Sequence, residues 1–192
     1  MKSPTKVITG NVTLSYVNLV NPKSINGSTP RYGCSVLIEK SDKKTIDAIN
    51  AGIAAAYEAD IAKLKGNSKI APPLIALKTP IRDGDAERPG DEAYANRFFL
   101  NAHANSKPGI VQITQREPEL ILEPITDPDE IYSGMKAKVS LSFFGYNNSG
   151  NKGIGVSINN VLKVGDGPRL GGKASAAEDF GDLADDDDDM LN

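Results

Sequence analysis

The sequence has no tryptophan, one cysteine and one histidine among its 192 residues. Each scarcity excludes something. Cys34 has no partner for an internal disulfide, which fits a reducing compartment. Its place in an alternating apolar stretch reads as a small core residue. His103 alone builds no histidine-based metal cluster and no Ser–His or Cys–His nucleophilic pair. No metal and no cofactor is expected. No apolar run approaches the ~20 residues of a membrane-spanning helix, so no membrane contact is expected. Met1–Gly10 lacks the apolar stretch of a secretory leader. With 39% hydrophobic and 6% aromatic residues, the core is modest and aliphatic. The length suits one domain.

Basic residues are missing from the end of the chain. All 22 Lys and Arg lie at or before Lys173, whereas eight of the 25 acids crowd into residues 178–192. They are Glu178, Asp179, Asp182, Asp185, Asp186, Asp187, Asp188 and Asp189. The body is a net cation and the tail a net anion, so the overall charge of -3 conceals an electropositive globule. A polyanion on a flexible arm can occupy its own protein's cationic groove, or offer partners a charged handle.

Period-two alternation predicts about five long strands. The most informative is Met135–Tyr146. Met135, Ala137, Val139, Leu141 and Phe143 form a core face. Lys136, Lys138, Ser140, Ser142, Phe144 and Tyr146 form an outer face of cations, hydroxyls and rings without an acid. Cations neutralise phosphates, and exposed rings give bases a stacking platform. An ordinary half-buried strand with a polar outer face has the same pattern. The other strands are Val7–Val20, with Ile8, Val12, Leu14 and Tyr16 facing in and Gly10 marking a bend; Arg31–Glu39, with Tyr32, Cys34, Val36 and Ile38 facing in; Asn96–Ala104, with Arg97, Phe99, Asn101 and His103 facing out; and a return strand from Ile154 to Val164. One helix, with Ser41 as N-cap, follows the second strand and ends at Lys65-Gly66. Residues 67–94 hold Pro72-Pro73, Pro80 and Arg88-Pro89-Gly90, and form a long irregular excursion.

The fold class is mainly β: an OB-fold barrel of about five strands with one helix after the second. Residues 1–165 form the domain. Residues 166–192 form a flexible linker and acidic tail. Two tempting motifs fail. Gly167–Ala174 nearly spells a phosphate-binding P-loop, but Ala174 stands where the magnesium-binding hydroxyl belongs, no apolar strand runs straight into it and no amphipathic helix follows it. Asp83-Gly84-Asp85-Ala86-Glu87 starts like a calcium loop, but Arg88 replaces the glycine that loop needs.

Three stretches carry a family resemblance. The first is Thr79–Asp85 with Asp91–Tyr94 and Phe98–Ala102. The second is Ile131-Tyr132-Ser133-Gly134 leading into the Lys136 strand. The third is Phe143–Gly153 with Asn159-Asn160-Val161 and Asp166-Gly167. Together they resemble the small single-stranded DNA-binding proteins of tailed bacteriophages, OB-folds with acidic C-terminal tails. The resemblance implies sequence-tolerant binding of single-stranded DNA during phage DNA replication, recombination or repair, in the cytoplasm of the infected bacterium. It also implies that the tail contacts phage or host replication proteins. Many such chains end on an aromatic residue. Here the acids are followed by Met190-Leu191-Asn192 and preceded by Phe180, which leaves Phe180 or Met190-Leu191 as the apolar anchor beside Asp185–Asp189.

The expected phosphate contacts are Arg31, Arg97, Lys136, Lys138 and Lys152. The expected stacking rings are Tyr32, Phe99, Phe144 and Tyr146, and His103 is a further base contact. Tyr32 is the weakest ring, since its own alternation points it inward. A homodimer is compatible with this reading. The expectation is binding without catalysis, since a nuclease would have to gather Asp83, Asp85, Glu87, Asp91 and Glu92 around magnesium. The alternative is a structural or assembly protein of the virion, using the same barrel for protein contacts.

Overall fold

The computed structural model describes residues 3–24 and 26–171. The tail residues Phe180 and Asp185–Asp189 lie outside them. The apolar–polar alternation becomes nine strands in one sheet. In chain order these are β1 (Lys6–Ile8), β2 (Val12–Lys23), β3 (Arg31–Glu39), β4 (Arg82–Asp83), β5 (Arg97–Ala104), β6 (Gly109–Gln115), β7 (Ile121–Pro124), β8 (Lys136–Asn148) and β9 (Asn151–Gly165). Five of them pair in a circuit: β2 with β3, β3 with β5, β5 with β9, β9 with β8, and β8 with β2. All are antiparallel except β5–β9. Two seams are thin. His103↔Ser157 is the register pair joining β5 to β9, and Val12↔Ala137 with Thr13↔Lys136 join β2 to β8. The result is the partly open five-stranded barrel of an OB-fold, not a sheet laddered all the way round. The β6–β7 hairpin extends the sheet beyond it, alongside β9.

The core fills the barrel with Val12, Leu14, Val36, Ile38, Leu100, Val139, Leu141 and Ile158. The helix α1 (Lys43–Ala59) closes one end with Ile46, Ile49, Ile53 and Ala56. Gly52, a residue that weakens a helix, has a packing reason. A Cβ there would meet Val7 Cγ2 at 2.8 Å and Phe143 Cδ2 at 2.9 Å, so glycine is what lets the helix lie against β1 and β8.

Several expectations are corrected. Val7–Val20 is two strands, because the chain turns at Gly10 to donate its N–H to Thr45 Oγ1 at 2.8 Å. The break shifts the phase, so Val7 is buried and Ile8 is 53% exposed. The helix is capped by Asp42, not Ser41: Asp42 Oδ1 accepts from the Thr45 N–H at 3.1 Å. It also breaks at Asp60, whose carboxylate accepts the Gly145 N–H at 2.7 Å, and a short α2 (Ile61–Lys65) follows. The excursion contains a 3-10 turn, β4 and a single-turn α3 (Gly84–Glu87). It folds back over the outside of β3 and β5 and delivers Tyr94 into a second small core with Leu37 and Phe99.

The expected linker is held at its start. The Tyr132 hydroxyl donates to Asp166 Oδ1 at 2.8 Å, and the Leu170 N–H donates to the Ser133 carbonyl at 2.9 Å. The Arg169 guanidinium lies 4.3 Å from the Tyr132 ring centroid. Gly134, at φ +111, presses directly on Pro168, where no side chain would fit. Residues 166–170 therefore strap onto the barrel.

Candidate nucleic-acid interface

A groove of about 320 Å³ lies on the outer face of β3 and β5, beside the loop joining β2 to β3. Its lining includes Tyr16, Asn18, Lys23, Arg31, Ser35, Arg88, Asn101 and His103, and no carboxylate. Strand register explains the gathering. Asn18 opposes Gly33, Gly33 opposes His103, and His103 opposes Ser157, so these residues form one row across four strands. One step along, Ser15, Ser35 and Asn101 form the next row. Ser35 Oγ donates to Asn101 Oδ1 at 2.8 Å and accepts from the Tyr94 hydroxyl at 3.2 Å, which ties the groove floor to the second core. A Cβ on Gly33 would sit 2.4 Å from His103 Nδ1, so glycine is what lets the imidazole lie flat on β3. Burial, and then the charge of Arg31, hold the His103 pKa below its ordinary value, which favours the neutral ring.

Three cations without a carboxylate in the same lining create a positive field, which suits a polyanion. The ring beside them is Tyr16. It is 58% exposed, with φ 46 in the left-handed region that bulky residues avoid. A register shift between Ser15 and Asn18 produces this conformation and turns the side chain outward. The Arg88 guanidinium lies 5.6 Å from the Tyr16 ring and 5.2 Å from the Tyr94 ring, so it links the groove to the excursion. Strain of this kind costs on the order of 1–3 kcal/mol, and it clusters at functional sites.

Of the residues expected from sequence, Arg31 and His103 stand in the groove. Phe99 does not. Its ring is fully buried, edge-on to Tyr94 at 5.0 Å and under the Arg82 guanidinium at 4.9 Å. It faces out of the barrel but not into solvent, because the excursion covers it. Arg97 is occupied too: Nη2 is 2.7 Å from Glu39 Oε1, and Nη1 donates to the Ala93 carbonyl at 2.8 Å. Tyr32 is half-buried on the core-facing side, opposite Ala104. Lys136, Lys138, Phe144, Tyr146 and Lys152 lie on the β8–β9 ribbon, which joins the groove rows through the Ser157–Ser142 pair and, at Lys136, through Thr13 of β2. The Lys136 ammonium donates to Thr13 Oγ1 at 2.6 Å, and Lys138 is exposed.

Sequence reasoning missed Tyr16, Arg88, Lys23, Asn18 and Asn101. Period-two counting pointed Tyr16 inward, and nothing local announced the bulge. The Arg88-Pro89-Gly90 turn was visible, but not that it closes over β2. Three of the five acids a magnesium site would need, Asp83, Asp85 and Glu87, are committed to ion pairs. The Lys40 ammonium is 2.7 Å from Asp83 and 2.6 Å from Asp85, and these hydrogen bonds hold both carboxyls below their usual pKa range. Glu87 pairs with Arg82. Among the described residues no group of three or more His, Cys, Asp or Glu is arranged to hold a metal.

The family model described as Enterobacter phage Enc34, ssDNA-binding protein, matches residues 5–191. The chain belongs to this family. The putative protein p50 of Acyrthosiphon pisum secondary endosymbiont phage 1 is similar, at 29% identity over 187 residues, covering 93% of this chain and 94% of that one. The single-stranded DNA-binding protein from bacteriophage Enc34, solved in complex with ssDNA, is similar with a TM-score of 0.68 at 23% identity, covering 87% of this chain and 90% of that one. The gp2.5 single-stranded DNA binding protein encoded by bacteriophage T7 has a TM-score of 0.54 at 16% identity, covering 92% and 93%. At these identities the two structures establish a shared fold.

Proposed function

We propose that this chain binds single-stranded DNA without strong sequence preference and without catalysis. The observation that carries the reading is the carboxylate-free groove, where Lys23, Arg31 and Arg88 flank the exposed Tyr16 ring. Cations meet phosphates of any sequence, and a ring stacks on any base. Family membership supports the same reading. The protein serves phage DNA replication, recombination and repair in the cytoplasm of the infected bacterium. Residues 1–165 are the binding domain. The acidic tail competes with DNA for the cationic groove or contacts replication partners, and a homodimer is compatible with this arrangement.

The test is a titration of labelled oligo-dT at low and moderate salt, with the full chain and with a chain ending at Lys173. Expected are binding by both forms, a steep salt dependence, and tighter binding by the shorter form. Equal affinity of the two forms would leave the tail to partners alone. No binding by either form would reject the DNA reading in favour of a structural protein of the virion.

A further inference from the structure

The floor of the groove holds a polar side chain whose orientation is fixed from beneath. Asn101 lines the groove on β5, is exposed, and stands opposite Ser35 on β3. Ser35 Oγ accepts from the Tyr94 hydroxyl at 3.2 Å and donates to Asn101 Oδ1 at 2.8 Å. Tyr94 is 1% exposed and Ser35 2% exposed, so both hydroxyls depend on partners within the protein. Among the described residues, Ser35 Oγ is the acceptor for the phenolic proton. A serine hydroxyl has a single proton of its own. Because Ser35 accepts from Tyr94, that proton goes to Asn101, and the atom that receives it is the amide oxygen. With the amide turned round, Asn101 would donate to Ser35 and Ser35 to Tyr94. The phenolic proton would then be buried without an acceptor, which is costly.

The Asn101 amide nitrogen is therefore turned away from Ser35, and it donates to no group among the described residues. The other amide of the lining, Asn18, stands two strands away in the neighbouring row, and its Nδ2 donates to the Tyr16 carbonyl at 3.0 Å. The groove thus presents a fixed N–H donor at Asn101. An asparagine reads adenine with both amide atoms, the oxygen accepting from N6 and the nitrogen donating to N7. Here the oxygen is held on Ser35. What remains is a lone donor, and a lone donor pairs with a base carbonyl. Thymine, guanine and cytosine carry a carbonyl. Adenine has none, and its amino group stands beside N1 and N7.

We propose that Asn101, held in one orientation by Ser35 and Tyr94, is a specificity-determining residue that biases the groove toward bases bearing a carbonyl and against adenine. Asn101 touches the base; Tyr94 is a positioning residue that acts through Ser35. The inference rests on the groove reading. It adds a modest bias to binding whose main terms, phosphate charge and ring stacking, ignore sequence. A comparison of oligo-dT with oligo-dA does not isolate it, because the two strands also differ in stacking strength and flexibility. Deoxyinosine does. Its base keeps the purine ring of adenine and carries a carbonyl in place of the 6-amino group.

The decisive experiment measures binding of labelled oligo-dA and oligo-deoxyinosine, each of ~8 nucleotides to suit an OB-fold, by fluorescence anisotropy at one salt concentration. It uses the full chain, Asn101→Ala and Tyr94→Phe. The unmodified chain binds the deoxyinosine strand about fivefold more tightly, the size of one net hydrogen bond. In Asn101→Ala the ratio of the two affinities falls to near unity. In Tyr94→Phe it falls part of the way, because Ser35 is then free to donate or accept and the amide turns either way. A merely structural role for either residue would weaken both strands together and leave the ratio alone. Equal affinities in the unmodified chain, or an unchanged ratio in Asn101→Ala, would overturn the inference and leave the groove standing. A ratio lost in Asn101→Ala but fully kept in Tyr94→Phe would overturn the role of Tyr94. Failure of the unmodified chain to bind either strand would remove the groove reading itself.

Discussion

Two halves of one surface behave in opposite ways. The outer faces of β3 and β5 carry Arg31, Gly33, Ser35, Asn101 and His103 at one end, and Leu37 and Phe99 at the other. The first end is an open cationic groove. The second is sealed under Tyr94 and Arg82 as a small core of its own. Both ends obey the same period of two, and both point away from the barrel interior. Alternation therefore decides which residues leave the barrel, but what happens outside it depends on what folds back over the sheet. Here one excursion, running from the end of α2 to the start of β5, does both. It buries Phe99 with Tyr94 and lends Arg88 to the groove.

The largest test of this contrast is Phe99→Ala. If Phe99 is core, the substitution costs about 3–5 kcal/mol of stability, measured as a fall in denaturant midpoint. A base-stacking residue would instead lose DNA affinity with little change in stability. Tyr94→Ala should behave like Phe99→Ala and also loosen the groove floor, since its hydroxyl holds Ser35.

Tyr16→Gly should do the reverse. Glycine tolerates the positive φ, so stability rises by about 1 kcal/mol. Losing the ring should weaken oligo-dT binding by about 1–3 kcal/mol. Calorimetric unfolding and anisotropy on the same sample test the pair of outcomes. A parallel fall in stability and affinity would mean that the bulge is a packing feature.

The two arginines give a smaller contrast. Arg31→Ala should reduce the magnitude of the salt slope for oligo-dT by about 0.7, one phosphate contact. Arg97→Ala should leave the slope alone and act on stability, because its guanidinium already binds Glu39 and the Ala93 carbonyl. Equal slope changes in both variants would erase the distinction between open and sealed ends.

The finest test uses pH. The folded-state pKa of His103 is depressed, so the unfolded chain binds a proton first as pH falls below about 6.5. The His103 contribution to stability is therefore present above that pH and is lost below it. A nearby phosphate favours the imidazolium, so DNA binding should take up a proton. Affinity should rise between about pH 7 and pH 5.5 relative to a His103→Gln variant. Identical pH profiles would move His103 off the ligand path.

Much of the architecture was legible in the sequence. Val12, Leu14, Cys34, Val36, Ile38, Leu100, Val139 and Leu141 were readable as core because a buried strand face must be apolar every second residue. The helix was legible from its isoleucines at helical spacing. The cationic body and anionic tail were legible from counting. The candidate groove was legible only in fragments, Arg31 and His103, because local alternation carries no information about what covers a surface.

The sequence by itself determined most of the long strands and most of their inner faces, the sign of the body's charge and many of the points where the chain must turn. Those depend on residue type and short-range periodicity. The tertiary structure alone decided that Gly10 would split the first strand, that a bulge would turn Tyr16 outward at positive φ, and that Tyr94 would cover Phe99 while Arg88 reached the groove. These depend on contacts between residues far apart in the chain. Their energies exist only once the barrel has brought the two ends of each contact together.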